Sequence, residues 1–134
     1  MGFLRVTTAW RLACAMAVAW AMSPSAGSAA TESDFQVKTT RDLVTLCDTP
    51  PNDPLHTAAV NFCQGFVVGA YQYHTLSVKA EGRPPLVCPP SPPPSRNESV
   101  ARFVQWSKTH EAVLETSPVA GMFEFLAKAF PCHG

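Results

Sequence analysis

Four cysteines spread over the last two thirds of the chain constrain its fold more than any other feature. They are Cys47, Cys63, Cys88 and Cys132, and a fifth, Cys14, lies in a different kind of segment near the start. No two of the four form a Cys-x-x-Cys pair, which disfavours a zinc site. An even set of this kind is typical of disulfides in an exported domain. The disulfide interpretation therefore depends on whether the chain is exported.

The first 30 residues have the order of a secretory signal peptide. Two arginines are followed by an uncharged apolar run of about 11 residues, too short to span a membrane comfortably. Small residues then lead to a predicted cleavage site before Thr31, with Ser28 and Ala30 in the two small positions. We predict a signal peptide at residues 1–30 and an exported domain at residues 31–134, in preference to a retained membrane anchor.

The charge of the predicted domain excludes one class of partner. The whole chain has 10 Lys and Arg and 10 Asp and Glu, but Arg5 and Arg11 belong to the predicted signal peptide. The domain therefore carries a net charge of about −2, which attracts neither nucleic acid nor an anionic membrane surface. We predict no nucleic-acid partner, and no membrane contact after signal cleavage.

Four cysteines in an exported domain predict two disulfides, for which three pairings exist. Sequence alone does not choose among the three. We favour Cys47–Cys63, which would close a helical hairpin, with Cys88–Cys132 tying a loop to the C-terminus. Each bridge would stabilise the domain by about 3–4 kcal/mol in the chain-entropy model.

Apolar residues recur at helical spacing through the domain, and no strand-like alternation of useful length occurs. Capping boxes at residues 39–42 and 95–98 each introduce a helix, the second running over residues 98–109. After another short helical stretch, Ser117 caps a last helix that has Pro118 at its first position. We predict an all-α fold, a small bundle of four to five helices stapled by two disulfides.

The longest predicted helix covers residues 54–80, with Asp53 as its N-cap and Pro54 at its first position. Gly65 and Gly69 lie inside it, and each costs about 1 kcal/mol of helix propensity. We therefore expect both glycines to let a neighbouring helix approach closely. The face predicted to be buried has residues at spacings of three and four: Leu55, Ala58, Ala59, Phe62, Phe66, Gly69, Ala70, Tyr73 and Leu76.

Residues 83–94 form a proline-rich loop that holds seven of the 13 prolines of the chain. Such a segment can be neither a helix nor an inner strand, so we predict an extended, polyproline-like path pinned at Cys88. Two roles stay open at this point. The loop is either a stiff connector, which we favour, or a recognition element.

Residues with catalytic or ligand chemistry are scattered. The four histidines, His56, His74, His110 and His133, form no His-Glu-x-x-His motif. No serine lies in a Gly-x-Ser-x-Gly elbow, and no glycine-rich phosphate loop occurs. We therefore predict a protein that binds rather than an enzyme, without a metal or a cofactor.

Ordered landmarks run along almost the whole predicted domain. They combine the four cysteines with neighbouring apolar, glycine and proline residues: Phe35-x-Val37, Asp42-Leu-Val-x-Leu-Cys47, Ala58-Ala-x-x-Phe-Cys63-x-Gly65-Phe, Val87-Cys88-Pro89, Val104-x-Trp106 and Ala129-Phe-Pro-Cys132. This order, over about residues 35–132, resembles the Rap/Tai family of immunity proteins. Those proteins protect bacteria from peptidoglycan amidases that type VI secretion systems deliver.

The resemblance implies a periplasmic, helical, often dimeric protein that blocks the active-site cleft of a cell-wall amidase toxin. We therefore expect an amidase partner and a homodimer. Because loops carry function more often than helix faces do, we predict that the contacts come from two loops. The predicted partner-binding residues are Arg83, Leu86, Arg96, Asp48 and Asp53. The alternative, of a different class, is a periplasmic stress-linked chaperone or protein-binding module without a toxin partner.

Overall fold

The computed structural model describes residues 29–132, and every regular element in this range is a helix. A short 3-10 helix at Glu32–Gln36 precedes five α-helices: α1 Thr40–Cys47, α2 His56–Ala80, α3 Arg96–Ser107, α4 Glu111–Leu114 and α5 Pro118–Ala129. The predicted all-α bundle is therefore confirmed. The predicted signal peptide lies outside the described residues, except for its last two positions.

Helix α1 lies at the centre of the bundle, where it packs against the other four α-helices or their ends and against the 3-10 helix. It begins with the predicted capping box: the Thr39 hydroxyl accepts the N–H of Asp42, and Asp42 Oδ2 accepts the N–H of Thr39 at 3.0 Å. Leu43 and Leu46, one turn apart, are fully buried and belong to different apolar clusters. This short helix therefore joins the two parts of the core.

The larger apolar cluster lies among α1, α3, α5 and the proline-rich loop. Its buried members are Leu43, Val87, Phe103, Met122, Phe125, Leu126 and Phe130. The smaller cluster lies near the start of α2. Its buried members are Ala30, Leu46, Ala59 and Cys63.

Two disulfides close the fold, in the pairing that we favoured. Cys47–Cys63 joins the end of α1 to α2, and Cys88–Cys132 joins the proline-rich loop to the segment after α5. The sequence separations of 16 and 44 residues correspond to about 3 and about 4 kcal/mol of loop-closure entropy removed from the unfolded chain. The pairing of all four cysteines is thus confirmed.

Helices α3 and α5 have the predicted N-cap residues, Ser95 and Ser117, but only Ser95 caps its helix with a side-chain hydrogen bond. Ser95 Oγ accepts the N–H of Glu98 at 3.2 Å, as predicted, while the Glu98 carboxylate pairs with Arg102 at 2.6 Å. Helix α3 begins at Arg96, ahead of the predicted start. Ser117 is the N-cap of α5 and Pro118 its first residue, yet the Ser117 side chain accepts no backbone N–H.

Helix α2 begins two residues later than predicted, because the chain first makes a separate turn. Asp53 Oδ1 accepts the N–H of Leu55 at 2.8 Å, and the Asp53 carbonyl accepts the N–H of His56 at 3.0 Å. Leu55, not Asp53, is the N-cap of the helix. Asp53 also accepts the N–H of Ala30 on Oδ2 at 3.2 Å. The prediction of Asp53 as the helix cap is therefore wrong; its carboxylate holds a turn and the segment before the 3-10 helix.

The face of α2 that meets the core is rotated from the predicted one. Its buried residues are Ala59, Cys63 and Val78. A Cβ built on Gly65 or Gly69 would meet no atom within 4 Å, so the expectation that these glycines admit a neighbouring helix is wrong. Five residues of the predicted buried face are exposed: Ala58, Phe62, Gly69, Tyr73 and Leu76. No helix in residues 29–132 is both long and apolar enough to cross a membrane.

Candidate partner-binding site

The proline-rich loop starts from a helix end that needs a glycine. Gly82 has a φ of +62°, a conformation that costs a glycine little because it has no Cβ. The N–H of Arg83 donates to the Val78 carbonyl at 2.9 Å, and the N–H of Gly82 donates to Lys79 at 3.4 Å. This pair of bonds is the Schellman ending of a helix. This ending terminates α2 and fixes the direction that the chain takes from Arg83 onward.

Contacts around Cys88 hold the middle of the loop. The Val87 side chain is buried in the larger apolar cluster. The N–H of Cys88 donates to the Phe130 carbonyl at 2.9 Å, and its sulfur is bonded to Cys132. Leu86, by contrast, is 56% exposed. The loop is therefore anchored at its centre and presents Leu86 at the surface.

Arg83 and Leu86 border a surface groove between α2 and α5, which we call the α2–α5 groove. Its volume is about 760 Å³. Gly65 and Gly69 line its α2 side, where the absence of side chains leaves open space, and Val119 lines its α5 side. The two glycines thus create a concave surface on α2 instead of a helix contact.

Large apolar side chains surround the α2–α5 groove without being buried. Tyr73 is 74% exposed, Leu86 56% and Val119 47%. Leu76, which is 67% exposed, lies on the same face of α2 as Gly69, about two turns further along. Single exposed apolar residues are ordinary, whereas a contiguous group of them is typical of an interaction surface. The groove and its border therefore form the candidate partner-binding site.

The polar groups of the groove lie toward its loop end. Arg83 Nε pairs with Glu81 Oε2 at 2.6 Å, and both side chains are more than half exposed. The His74 ring packs against Phe123 with centroids 4.8 Å apart, and the N–H of Leu86 lies 3.4 Å from His74 Nε2. A partner in the groove would thus meet apolar surface along α2 and charge beside the loop.

Arg96 does not line the α2–α5 groove. It lines a second groove, of about 370 Å³, between the loop, α2 and α3. Pro89 and Pro94 contribute the loop side of this groove and Tyr71 contributes part of the α2 side. Arg96 and Leu86 therefore lie at different grooves, although the proline-rich loop contributes to both.

Asp48 and Asp53 lie before α2, whereas the proline-rich loop follows it. The 25 residues of α2 span about 37 Å at 1.5 Å per residue, so the start of the helix is about that far from its end, where the loop begins. Asp48 Oδ2 pairs with Lys108 Nζ at 3.0 Å, and both carboxylate oxygens of Asp53 accept backbone N–H groups. The structure brings Arg83 and Leu86 to one groove and places the other three predicted contact residues elsewhere.

Sequence reasoning missed the α2 side of the groove, although a signal for it was present. A disulfide cysteine must face the element to which it is bonded, so Cys63 marks the inward face of α2. Gly65, Gly69 and Tyr73 follow one another at spacings of four, starting two residues after Cys63. Two residues correspond to about 200° of rotation, which places this stripe away from the core.

No three His, Cys, Asp or Glu side chains cluster as metal ligands within the part of the chain that the structure describes. Among known proteins, the family model for Rap1a immunity proteins matches residues 39–132. The match extends from the cap of α1 to the last cysteine, and it includes the groove, the loop and both disulfides. No curated protein and no solved structure matches the chain.

Proposed function

Because the chain belongs to the Rap1a immunity protein family, we propose that it binds and inhibits a peptidoglycan amidase effector of a type VI secretion system. Membership of the family implies a protein partner, a secreted effector. We further propose that this effector is an amidase and that a type VI secretion system delivers it. Both statements rest on the resemblance carried by the cysteine, glycine and proline landmarks of the sequence. On this proposal the protein acts by binding, without catalysis.

The single observation that carries the proposal is the α2–α5 groove, an open apolar surface on a cross-linked bundle. Aromatic side chains and arginines dominate binding energies when a partner removes them from water. Tyr73 offers an aromatic anchor, Leu86 adds apolar area beside it, and Arg83 offers a charge-assisted hydrogen bond to a carboxylate of the effector. Because both disulfides restrain the bundle, little conformational entropy is lost on binding.

A periplasmic location is part of the same proposal. The signal-peptide pattern of residues 1–30 supports export, and the two disulfides suit an oxidising compartment. An amidase that cleaves peptidoglycan acts in this compartment, so its inhibitor has to be there.

Arg96, Asp48 and Asp53 remain proposed contact residues outside the groove. A homodimer would let one assembly present several of these surfaces to an effector. Light scattering coupled to gel filtration tests the dimer. A mass of one chain at every concentration would contradict this part of the proposal.

The proposal is tested with the amidase effectors encoded in the same genome. Titration calorimetry measures binding, and hydrolysis of purified peptidoglycan measures inhibition. We expect a tight complex and loss of hydrolysis at one equivalent. We also expect cells that express the full chain to survive an effector targeted to the periplasm. If none of the effectors binds, the proposal fails. Suppression of aggregation of unrelated proteins without effector binding would instead support the chaperone alternative.

A matched pair of arginine variants tests the location of the site. Arg83 and Arg102 are both exposed, with 53% of each side chain accessible, and each pairs with a glutamate at 2.6 Å. Only Arg83 lines the α2–α5 groove. We expect Arg83→Ala to weaken effector binding and Arg102→Ala to leave it unchanged. Leu86→Asp should weaken binding at least about tenfold, which corresponds to about 1.4 kcal/mol. Equal affinities for all three variants would place the interface elsewhere.

A further inference from the structure

The two disulfides lie in different surroundings. Cys63 is fully buried in the smaller apolar cluster and Cys47 is half-buried beside it. Cys88 and Cys132 are both exposed. A thiolate can break a disulfide only if it reaches one of the two sulfur atoms. The exposed bridge is therefore open to attack in the folded protein, whereas the buried one requires α1 and α2 to separate first.

We propose that Cys88–Cys132 is a thiol–disulfide exchange site, which a dithiol reduces while the protein stays folded. The reagent class is a dithiol whose two thiols can form a disulfide with each other, as in the active-site cysteine pair of a dithiol reductase. The second part of the proposal is that this exchange releases the proline-rich loop. Neither part depends on the proposed function, since both concern the free protein.

The chemistry balances as a two-electron exchange. One thiolate of the dithiol attacks a sulfur of Cys88–Cys132, so that a mixed disulfide forms and the other cysteine leaves as a thiolate that takes up a proton. The second thiol of the reagent then loses its proton and attacks the reagent's first sulfur in the mixed disulfide. The cysteine bound to that sulfur leaves as a thiolate, which takes up a proton. The reagent departs as a cyclic disulfide, and Cys88 and Cys132 are left as two thiols.

Release of the loop follows from how few other contacts hold it. With the bridge broken, the burial of Val87 and the bond from the Cys88 N–H to the Phe130 carbonyl remain at its centre. The long contact of 3.4 Å between the Leu86 N–H and His74 Nε2 also remains there. Cys132 Sγ also lies 3.4 Å from the Pro85 carbonyl oxygen, so the bridge itself packs against the loop. The seven prolines of the loop have no N–H with which to form replacement hydrogen bonds.

The order of reduction tests the exchange site. The full chain, produced with its disulfides formed, is incubated with dithiothreitol in native buffer and quenched by alkylation at successive times. Peptide masses then identify the modified cysteines. We expect Cys88 and Cys132 to be alkylated together, at least about tenfold faster than Cys47 and Cys63. Equal rates, or earlier modification of the buried pair, would overturn the proposal.

Urea below the unfolding transition provides a control for the mechanism. It should accelerate reduction of Cys47–Cys63, which needs an opening, and leave the rate at Cys88–Cys132 nearly unchanged. If urea accelerates both reactions equally, the exposed bridge also needs an opening and the proposal fails.

Deuterium exchange tests the release of the loop. After reduction, the peptide that contains the Cys88 amide should exchange faster, while the peptides of α1 and α2 keep their protection. The double variant Cys88→Ala, Cys132→Ala should show the same fast exchange without any reductant. Unchanged protection of the loop in the reduced wild type would overturn this part of the proposal, and that measurement does not depend on whether the variant folds.

Discussion

Gly121 in α5 packs its α-carbon directly against the side chain of Thr40 in α1. A Cβ on Gly121 would lie within 2.9 Å of three Thr40 side-chain atoms, and Thr40 is fully buried. The Thr40 hydroxyl lies 3.0 Å from the Ser117 carbonyl oxygen, and the Thr40 N–H donates to Thr116 at 2.8 Å. Because these bonds hold Thr40 in place, the contact sets how closely α5 can approach α1.

Gly121→Ala should therefore destabilise the protein, although alanine is the better helix former. The gain in helix propensity is about 1 kcal/mol, and overpacking of a tight core contact costs about 1–3 kcal/mol. We expect a net loss of about 1 kcal/mol in the free energy of unfolding, measured by urea titration. Gly65→Ala is the matched control, since it lies in open space and should stabilise by up to about 1 kcal/mol. Changes of the same sign in both variants would contradict this account of Gly121.

Gly69→Leu should raise stability and lower effector affinity. Leucine is a much better helix former than glycine, and nothing within the described chain opposes a Cβ at this position. We expect a gain of about 0.5–1 kcal/mol in urea titration. The added side chain would occupy the α2–α5 groove, so the effector should bind at least about tenfold more weakly in calorimetry. A variant that is more stable and binds as tightly as wild type would show that the groove is not the interface.

The existence of the helices could be predicted from the sequence because it depends on local patterns, whereas the cysteine pairing was one favoured choice among three that the sequence alone does not decide. The Thr39–Asp42 box and the Ser95 cap are short-range hydrogen bonds, and they occur as expected. The buried face of α2 could not be read in the same way. This helix has apolar residues on more than one face, so periodicity alone does not decide which face is buried, and the bonded Cys63 was the signal that did.

On the proposed route of export, the N-terminus of the mature protein should retain Ala30. This residue was predicted to end the signal peptide, yet its side chain is buried in the smaller apolar cluster and its N–H donates to Asp53 Oδ2. We therefore expect cleavage after Ser28, where Ala26 and Ser28 are the two small residues that a signal peptidase requires. The intact mass of protein recovered from the periplasm measures this directly.

A mature chain that starts at Thr31 would contradict this prediction. The variant Ala30→Asp provides an independent check, because it places a carboxylate in the apolar cluster beside Asp53. We expect it to lower the free energy of unfolding by about 1–3 kcal/mol. If the variant is as stable as wild type, Ala30 contributes nothing to the core.

Asp53→Ala should destabilise the domain more than Asp48→Ala does. Asp53 accepts two backbone N–H groups, so its loss should cost about 1–2 kcal/mol in urea titration. Asp48 makes a partly exposed ion pair with Lys108, and surface pairs contribute at most about 1 kcal/mol. Equal losses for the two variants would show that the backbone bonds of Asp53 are not what stabilises the turn.

The candidate site could be predicted only where its residues are close in the chain. Arg83 and Leu86 are three residues apart in one anchored loop, so their common location follows from the sequence. Whether Asp48 and Arg96 lie near that groove depends on how long helices cross, which no local pattern encodes. The five predicted contact residues therefore do not lie on one surface, and their role in binding stays a prediction.

The seven prolines of the loop at residues 83–94 have a consequence for the form that recognition can take. A proline offers a carbonyl acceptor but no N–H donor, so this segment cannot form a continuous ladder with another extended chain. This loop therefore cannot bind a partner by strand addition, by which exposed extended segments capture peptides or nucleate aggregation. Whatever binds the loop must recognise its side chains and its shape.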